Sequence, residues 1–260
     1  MTYRHVDYKV INRVAVIRLN DPDTLNAMTL AMAHELFEAL KQAEDEARSI
    51  LLCAAGAGFC SGANLADATF DLADPERDVG ESLEEITNPI LLQMRASAIP
   101  IVCAVQGPVV GVGCGLALAS DLIVAGEQAY FYEVFSKIGL VPDGGATYLL
   151  AQAIGRARAM ELMLLGSRLP AAQALDWGLI NRVVPDAQVE EAALSIAEDM
   201  ARGPASLGMI RKLAWAALDS GFDAALIAER TAQRNAGRTD DFLEGVAAFR
   251  EKRKPAFRGQ

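Results

Sequence analysis

Short apolar runs and amphipathic stretches succeed one another along the first half of the chain. In "YKVINRVAVIRLN" apolar and polar positions alternate on either side of a polar Asn12-Arg13 break, the pattern of a β-hairpin. "DPDTLNAM" has the composition of a loop. Thr29 stands as an N-cap ahead of "LAMAHELFEALKQAEDEA", where Leu30, Leu36, Phe37 and Leu40 form an apolar helical face. "SILLCAA" is a short buried strand and "GAGFCSGANL" a glycine-rich loop. Glu81 to Ala98 reads as a second helix, closed by Pro100. "IVCAV" is another buried strand, "GVGCGLALAS" a helix entered through glycines, and "DLIVAG" the next strand. Strands that are apolar throughout are covered on both faces, so the pattern predicts an α/β fold.

Past "RVVP" (Arg182 to Pro185) the pattern becomes wholly helical, in four stretches punctuated by Gly203-Pro204, Gly221 and Gly237. The expected organisation is an α/β core over residues 1–185 and a helical region over 186–260. Those helices either make contacts between subunits or cover their own core. No internal repeat or low-complexity linker separates them.

Hydrophobic residues make up 52% of the chain and charged residues 22%, ample for a large core. The formal charge of −10 argues against nucleic acid or an anionic membrane as partner. An anionic ligand would need a local basic cluster or backbone N–H groups. The N-terminus lacks a basic region followed by an apolar run, so no signal peptide is expected. Gln106 and Asp121 interrupt the longest apolar stretch below the ~18 residues of a membrane span. Cys53, Cys60, Cys103 and Cys114 form no C-x-x-C pair and read as reduced core thiols of a cytoplasmic protein. With only His5 and His34, a histidine metal site or triad is poorly supplied, and no metal is expected.

Gly111, Gly113 and Gly115 miss the dinucleotide fingerprint, because Leu116 and Leu118 occupy the positions where it needs glycine. There is no phosphate-binding G-x-x-x-x-G-K-[ST] loop and no G-x-S-x-G elbow. Two glycine-rich turns remain, "AGFCSGANL" and "VVGVGCGLAL", each after a buried strand. They could aim two backbone N–H groups at one carbonyl oxygen, or serve tight helix–strand packing. In "KIGLVPDGGAT", Asp143 stands alone among apolar residues and glycine. It could be a turn residue, the N-cap of a following helix, or a chemical group.

Six segments in order resemble the crotonase superfamily, the enoyl-CoA hydratase/isomerase family, over nearly the whole chain: "LNDPDTLNAM", "GAGFCSGANL", "IPIVCAVQGPVVGVGCGLALASDLIVAG", "KIGLVPDGGAT", "GRARAMELMLLGSRLPAAQALDWGLINRVVP" and "EGVAAFREKRKPAF". The resemblance implies a ββα spiral core with a C-terminal helical oligomerisation extension, a homotrimer or a hexameric dimer of trimers. It implies a substrate carried as a coenzyme A thioester and no permanently bound cofactor. The N–H groups of Ala63 and Val112 would form the oxyanion hole for the thioester oxygen. Leu25, Ser61, Gly62, Ala63, Asn64 and Leu65 would line the coenzyme A cleft, and Phe135 would also contact the substrate. Phe249 and Lys252 would approach the adenosine end, with Lys252, Arg253, Lys254 and Arg258 drawing the phosphates. Leu65 to Ile86 should border the acyl pocket, although it offers no motif.

The departures from the family pattern bear on the reaction. Hydratases of this family carry two glutamates that position and deprotonate water, and the matching positions here are Gly115 and Phe135. Glu133 lies two residues away, a substitute carboxylate. Enoyl-CoA isomerases of the phenylacetate ring-epoxide type show a similar "KIGL-x-PD" loop, where one carboxylate moves a proton from C2 to C4 of a 3-enoyl thioester. Asp143 is then the proton shuttle, its pKa raised beside Phe135 and Val141. Other readings are a hydratase using a substitute carboxylate, an aryl-CoA dehalogenase, or a catalytically silent acyl-CoA- or RNA-binding relative. The dehalogenase would need histidine and tryptophan where Asn88 and Phe135 stand, and the net charge of −10 discourages RNA.

Overall fold

The computed structural model describes residues 3–67 and 73–260. The hairpin forms from β1 (Val6–Ile11) and β2 (Val14–Leu19), paired antiparallel. Its two-residue turn places Asn12 (φ 50°) and Arg13 (φ 68°) in the left-handed region, which matches the twist of the flanking strands. Helix α1 (Leu30–Glu46) starts where the Thr29 hydroxyl accepts the Met32 N–H at 3.1 Å, and it leads into β3 (Ser49–Ala54).

The second helical stretch starts at Glu81, as expected, but ends at Ala96 rather than Ala98 and is irregular inside. Leu83–Thr87 is a wide π-helical turn, in which the Asn88 N–H reaches the Leu83 carbonyl, and α2 runs Asn88–Ala96. Pro89 has no N–H for an α-helical ladder, and the widened turn accommodates it. The C-terminal end comes early because Arg211 captures the carbonyls of Met94, Arg95 and Ser97, which fixes the chain as it leaves the helix.

Strands β4 (Ile101–Val105) and β5 (Pro108–Val110) precede the short α3 (Val112–Leu118), entered through Gly111. Then come β6 (Leu122–Gly126), β7 (Tyr130–Tyr132) and α4 (Ala146–Leu165), which breaks at Gly155. The chain continues through β8 (Arg168–Pro170), α5 (Ala171–Asp176) and β9 (Arg182–Val184). It ends in α6 (Val189–Ala201), α7 (Ser206–Ala217), α8 (Phe222–Ala236) and α9 (Asp240–Glu251).

The larger sheet has the order β1-β2-β3-β4-β6-β9 and is parallel from β2 onward; a smaller one has the order β5-β7-β8. Both faces of the larger sheet are covered. Ile50, Leu52, Ile101 and Cys103 join the core under α1 and α2, while Leu51, Cys53, Val102 and Ala104 pack on α6. Ala193, Ala197 and Ala201 recur every fourth residue of α6 and let it lie close to the strands. The helices after α6 leave Ile210, Phe222, Ile227, Leu243 and Phe249 exposed. Among the described residues no helix is long and apolar enough to cross a membrane.

Candidate active site

The two glycine-rich turns lie side by side. Cys60 and Val109 form a parallel bridge, in which Cys60 N–H donates to Pro108 O (3.2 Å) and Val110 N–H to Cys60 O (2.9 Å). A second bridge, Met28 to Ala63, ties the first turn to the loop before α1: Met28 N–H donates to Gly62 O (2.8 Å) and Asn64 N–H to Met28 O (2.9 Å). Such a bridge uses the groups flanking its central residue, so the Ala63 N–H turns away from Met28 and has no acceptor among the described residues. The Val112 N–H opens α3, where no helical carbonyl precedes it, and it too has none. Close approach of the turns requires glycine at 113, where a Cβ would stand 2.8 Å from Cys60 Cβ.

The loop before α1 is held by Asn26, which is fully buried. Its amide donates to Ala55 O and Gly58 O, both at 2.8 Å, and its Oδ1 accepts the Asp21 N–H at 2.8 Å. The Ser61 N–H and hydroxyl bind Leu25 O (3.0 Å) and Thr24 O (2.9 Å). Leu25, Ser61, Gly62, Ala63, Asn64 and Leu65 therefore form one rim, with Leu25, Ala63 and Leu65 open to solvent. Asn26 carries little local signal: it is an asparagine in a loop where Leu25 and Asn26 adopt positive φ.

Asp143 does not cap α4. The N-cap is Gly145, without a side-chain bond, and it is the Asp143 carbonyl that accepts the Ala146 N–H at 3.0 Å. The Asp143 Oδ1 is buried with no hydrogen-bond partner among the described residues, and burial lifts the carboxyl pKa to about 6. Val141, expected beside it, is 79% exposed. The turn instead lies on α3. A Cβ on Gly115 would stand 2.3 Å from Gly144 O, and one on Gly144 would stand 3.5 Å from Val112 Cα. A side chain at position 115 and this path of the Asp143 turn are therefore mutually exclusive. Phe135 is buried, its ring 3.4 Å from where a Gly111 Cβ would be.

A second carboxyl group faces the same interior. Glu133 is 3% exposed, and neither of its oxygens has a geometric hydrogen-bond partner among the described residues. Its pKa rises to about 7, chiefly through burial and further through the charge of Asp143; the nearby Cys114 thiol opposes this. That thiol lies close enough to Glu133 to favour its charged form more strongly than Asp143 disfavours it, while its own geometric hydrogen bond goes to Val109 O at 2.9 Å. All four cysteines are free and buried.

Phe249 and Lys252 lie apart from this cluster. Phe249 borders a cleft of about 470 Å³ among α7, α8 and α9, with Met209, Phe242 and Phe257, and Lys252 ends α9 in the left-handed conformation. The basic run beside them is partly neutralised, because Arg253 is held by Glu244 at 2.5 and 2.9 Å and by Glu251 at 2.6 Å. Residues 68–72, within the stretch expected to border the acyl pocket, are outside the described residues.

Two turns whose Ala63 and Val112 amides have no acceptor among the described residues, with the Asp143 turn packed on one of them, are an arrangement that can polarise a carbonyl and move a proton beside it. The chain belongs to the enoyl-CoA hydratase/isomerase family, whose model matches residues 9–260. It is 42% identical to the 1,2-epoxyphenylacetyl-CoA isomerase of Escherichia coli over 95% of both chains. It is 38% identical to a candidate enoyl-CoA hydratase of Rhodobacter capsulatus over the full length of both. The solved structure of a candidate enoyl-CoA hydratase/isomerase from Mycobacterium abscessus, 35% identical, superposes with a TM-score of 0.94 over 98% of this chain and all of that one. The α/β fold is thus that of the crotonase superfamily, including its C-terminal helical region.

Proposed function

We propose that this enzyme shifts a double bond in an enoyl-CoA thioester. The Ala63 and Val112 amides hold the thioester oxygen. Asp143 takes the proton from C2, and the dienolate collects its charge on the oxygen between those amides. The proton returned at C4 completes a 3-enoyl to 2-enoyl conversion. A carboxyl of pKa about 6 suits a group that must both accept and donate. The observation that carries this reading is the unpartnered Oδ1 of Asp143, on a turn packed against Val112, whose own amide is free. Water addition is disfavoured at the positions where hydratases of the family keep their glutamates. The backbone of Gly144 fills the space a side chain on Gly115 would need, and the other position is Phe135.

The coenzyme A moiety crosses the rim from Leu25 to Leu65. Its adenosine end meets Phe249 and Lys252, which fits an assembly of three or six copies in which a neighbour's α9 reaches the rim. The test is a panel of 2-enoyl-, 3-enoyl- and aryl-CoA thioesters with products weighed by mass spectrometry. Isomerisation leaves the mass unchanged and hydration adds one water. Hydration of the 2-enoyl substrates without isomerisation of the 3-enoyl ones would overturn the reading.

A further inference from the structure

A single proton shuttle does not account for Glu133. The residue follows directly after β7, whose Tyr132 carbonyl accepts the Gly111 N–H at 3.1 Å where the chain enters α3. It is 3% exposed, with both oxygens unpartnered. The neighbouring Cys114 thiol gives its proton to Val109 O, at 2.9 Å. The other group acting on Glu133 is Asp143, whose buried Oδ1 is also unpartnered. Two carboxyl groups that act on each other, each with a buried oxygen that has no partner among the described residues, resist ionising together, and the proton is held more tightly on Glu133. A buried acid with no committed structural bond requires an explanation, and proton transfer is the one that a site beside the α3 entry offers.

Resting on the isomerase reading above, we propose that Glu133 is a second catalytic carboxyl group, which delivers its own proton to C4 while Asp143 retains the proton it took from C2. The steps balance. The C2–H bond breaks, its electron pair enters the dienolate, and Asp143 becomes neutral. The C4–H bond forms with the Glu133 proton as the dienolate electrons return, leaving Glu133 ionised. A proton then passes from Asp143 to Glu133 and restores the starting state, with no net proton gained or lost and nothing oxidised.

The test is a single turnover of a 3-enoyl-CoA dideuterated at C2, with the full-length enzyme in excess in ordinary water, and the label at C4 read by NMR. With two carriers, C4 receives mostly protium from Glu133. In Glu133→Gln, Asp143 must carry the deuterium itself, so label at C4 rises severalfold while turnover falls about tenfold or more. Glu133→Met, which removes the buried carboxyl altogether, should show the same rise. A parent enzyme that already moves most of the label from C2 to C4 overturns the proposal without any variant. So do folded variants whose label at C4 equals the parent's. These outcomes leave the isomerase reading intact, whereas a parent that isomerises no 3-enoyl thioester removes both.

Discussion

Arg211 and Glu133 are almost equally buried, at 5% and 3% exposure, and the fold treats them in opposite ways. Every arm of the Arg211 guanidinium is used. Nε binds Asp121 at 2.7 Å, Nη1 takes the Arg95 and Ser97 carbonyls at 2.8 Å, and Nη2 takes that of Met94. Asp121 in turn accepts the Ile101 N–H at 2.8 Å and the Trp215 indole at 3.3 Å. This network ties α7 to the end of α2 and the start of β4. Around Glu133 and Asp143 the hydrogen-bond partners are missing. A buried charge that is fully satisfied is there for structure. One left unsatisfied costs stability in every copy of the protein, and in a site with free amides that cost points to chemistry.

The largest expected effect falls on the unsatisfied side. Asp143→Asn keeps the shape of the turn but cannot accept a proton, so kcat with a 3-enoyl-CoA should fall roughly 10²–10⁴-fold with KM little changed. Thermal unfolding should show a protein at least as stable as the parent, because no bond of the Asp143 side chain is lost. The satisfied side should respond in the reverse sense. Arg211→Met leaves Asp121 without its cation and the last carbonyls of α2 without a donor, a loss of about 3–5 kcal/mol in urea unfolding. Turnover per folded molecule should stay near the parent's.

Gly115 tests whether the site depends on the path of its turn. Gly115→Ala places a Cβ 2.3 Å from the Gly144 carbonyl oxygen, a backbone atom that cannot rotate away. The Asp143 turn has to shift, and a displacement on the order of 1 Å should cost about 10² in turnover. Coenzyme A thioester affinity, read by calorimetry, should change less, since the Leu25–Leu65 rim lies on other segments. An alanine variant with parent-like kcat would separate the position of this turn from catalysis.

Local pattern sufficed for the elements whose cause is local. The Asn12-Arg13 turn, the Thr29 cap and the doubly covered strands were all legible. The six ordered segments also carried the family. What the sequence hid was contact between distant residues. Pro89 lay unremarked inside the stretch read as one helix, and nothing local to α2 showed that Arg211, over a hundred residues on, would terminate it. Asp143 read equally as a cap, and only the packing of Gly144 on Gly115 shows why its side chain turns inward instead. Glu133 stood in view beside the family's usual position, yet its burial without partners is a property of three dimensions.

The smallest effect concerns the stability cost of Glu133 and its sign. The usual glutamate value is 4.5 and the folded value about 7, so the folded state binds its proton more tightly than the unfolded chain. The contribution of Glu133 to stability is then fully present below about pH 4.5 and is lost as pH rises through about 7. That difference corresponds to a penalty of at most about 3 kcal/mol above pH 8. Glu133→Gln never ionises and escapes it, although its amide remains buried and poorly bonded, which takes back part of the gain. The variant should therefore exceed the parent by about 2 kcal/mol at pH 8 and fall about 1 kcal/mol below it near pH 4, where only the cost of the amide remains. Asp143→Asn should narrow the gap, since the Asp143 charge is one cause of the raised value. Paired denaturant titrations across that range measure both. A Glu133→Gln protein that is less stable than its parent at pH 8 would show that Glu133 has a structural partner, and would place it with Arg211 rather than opposite to it.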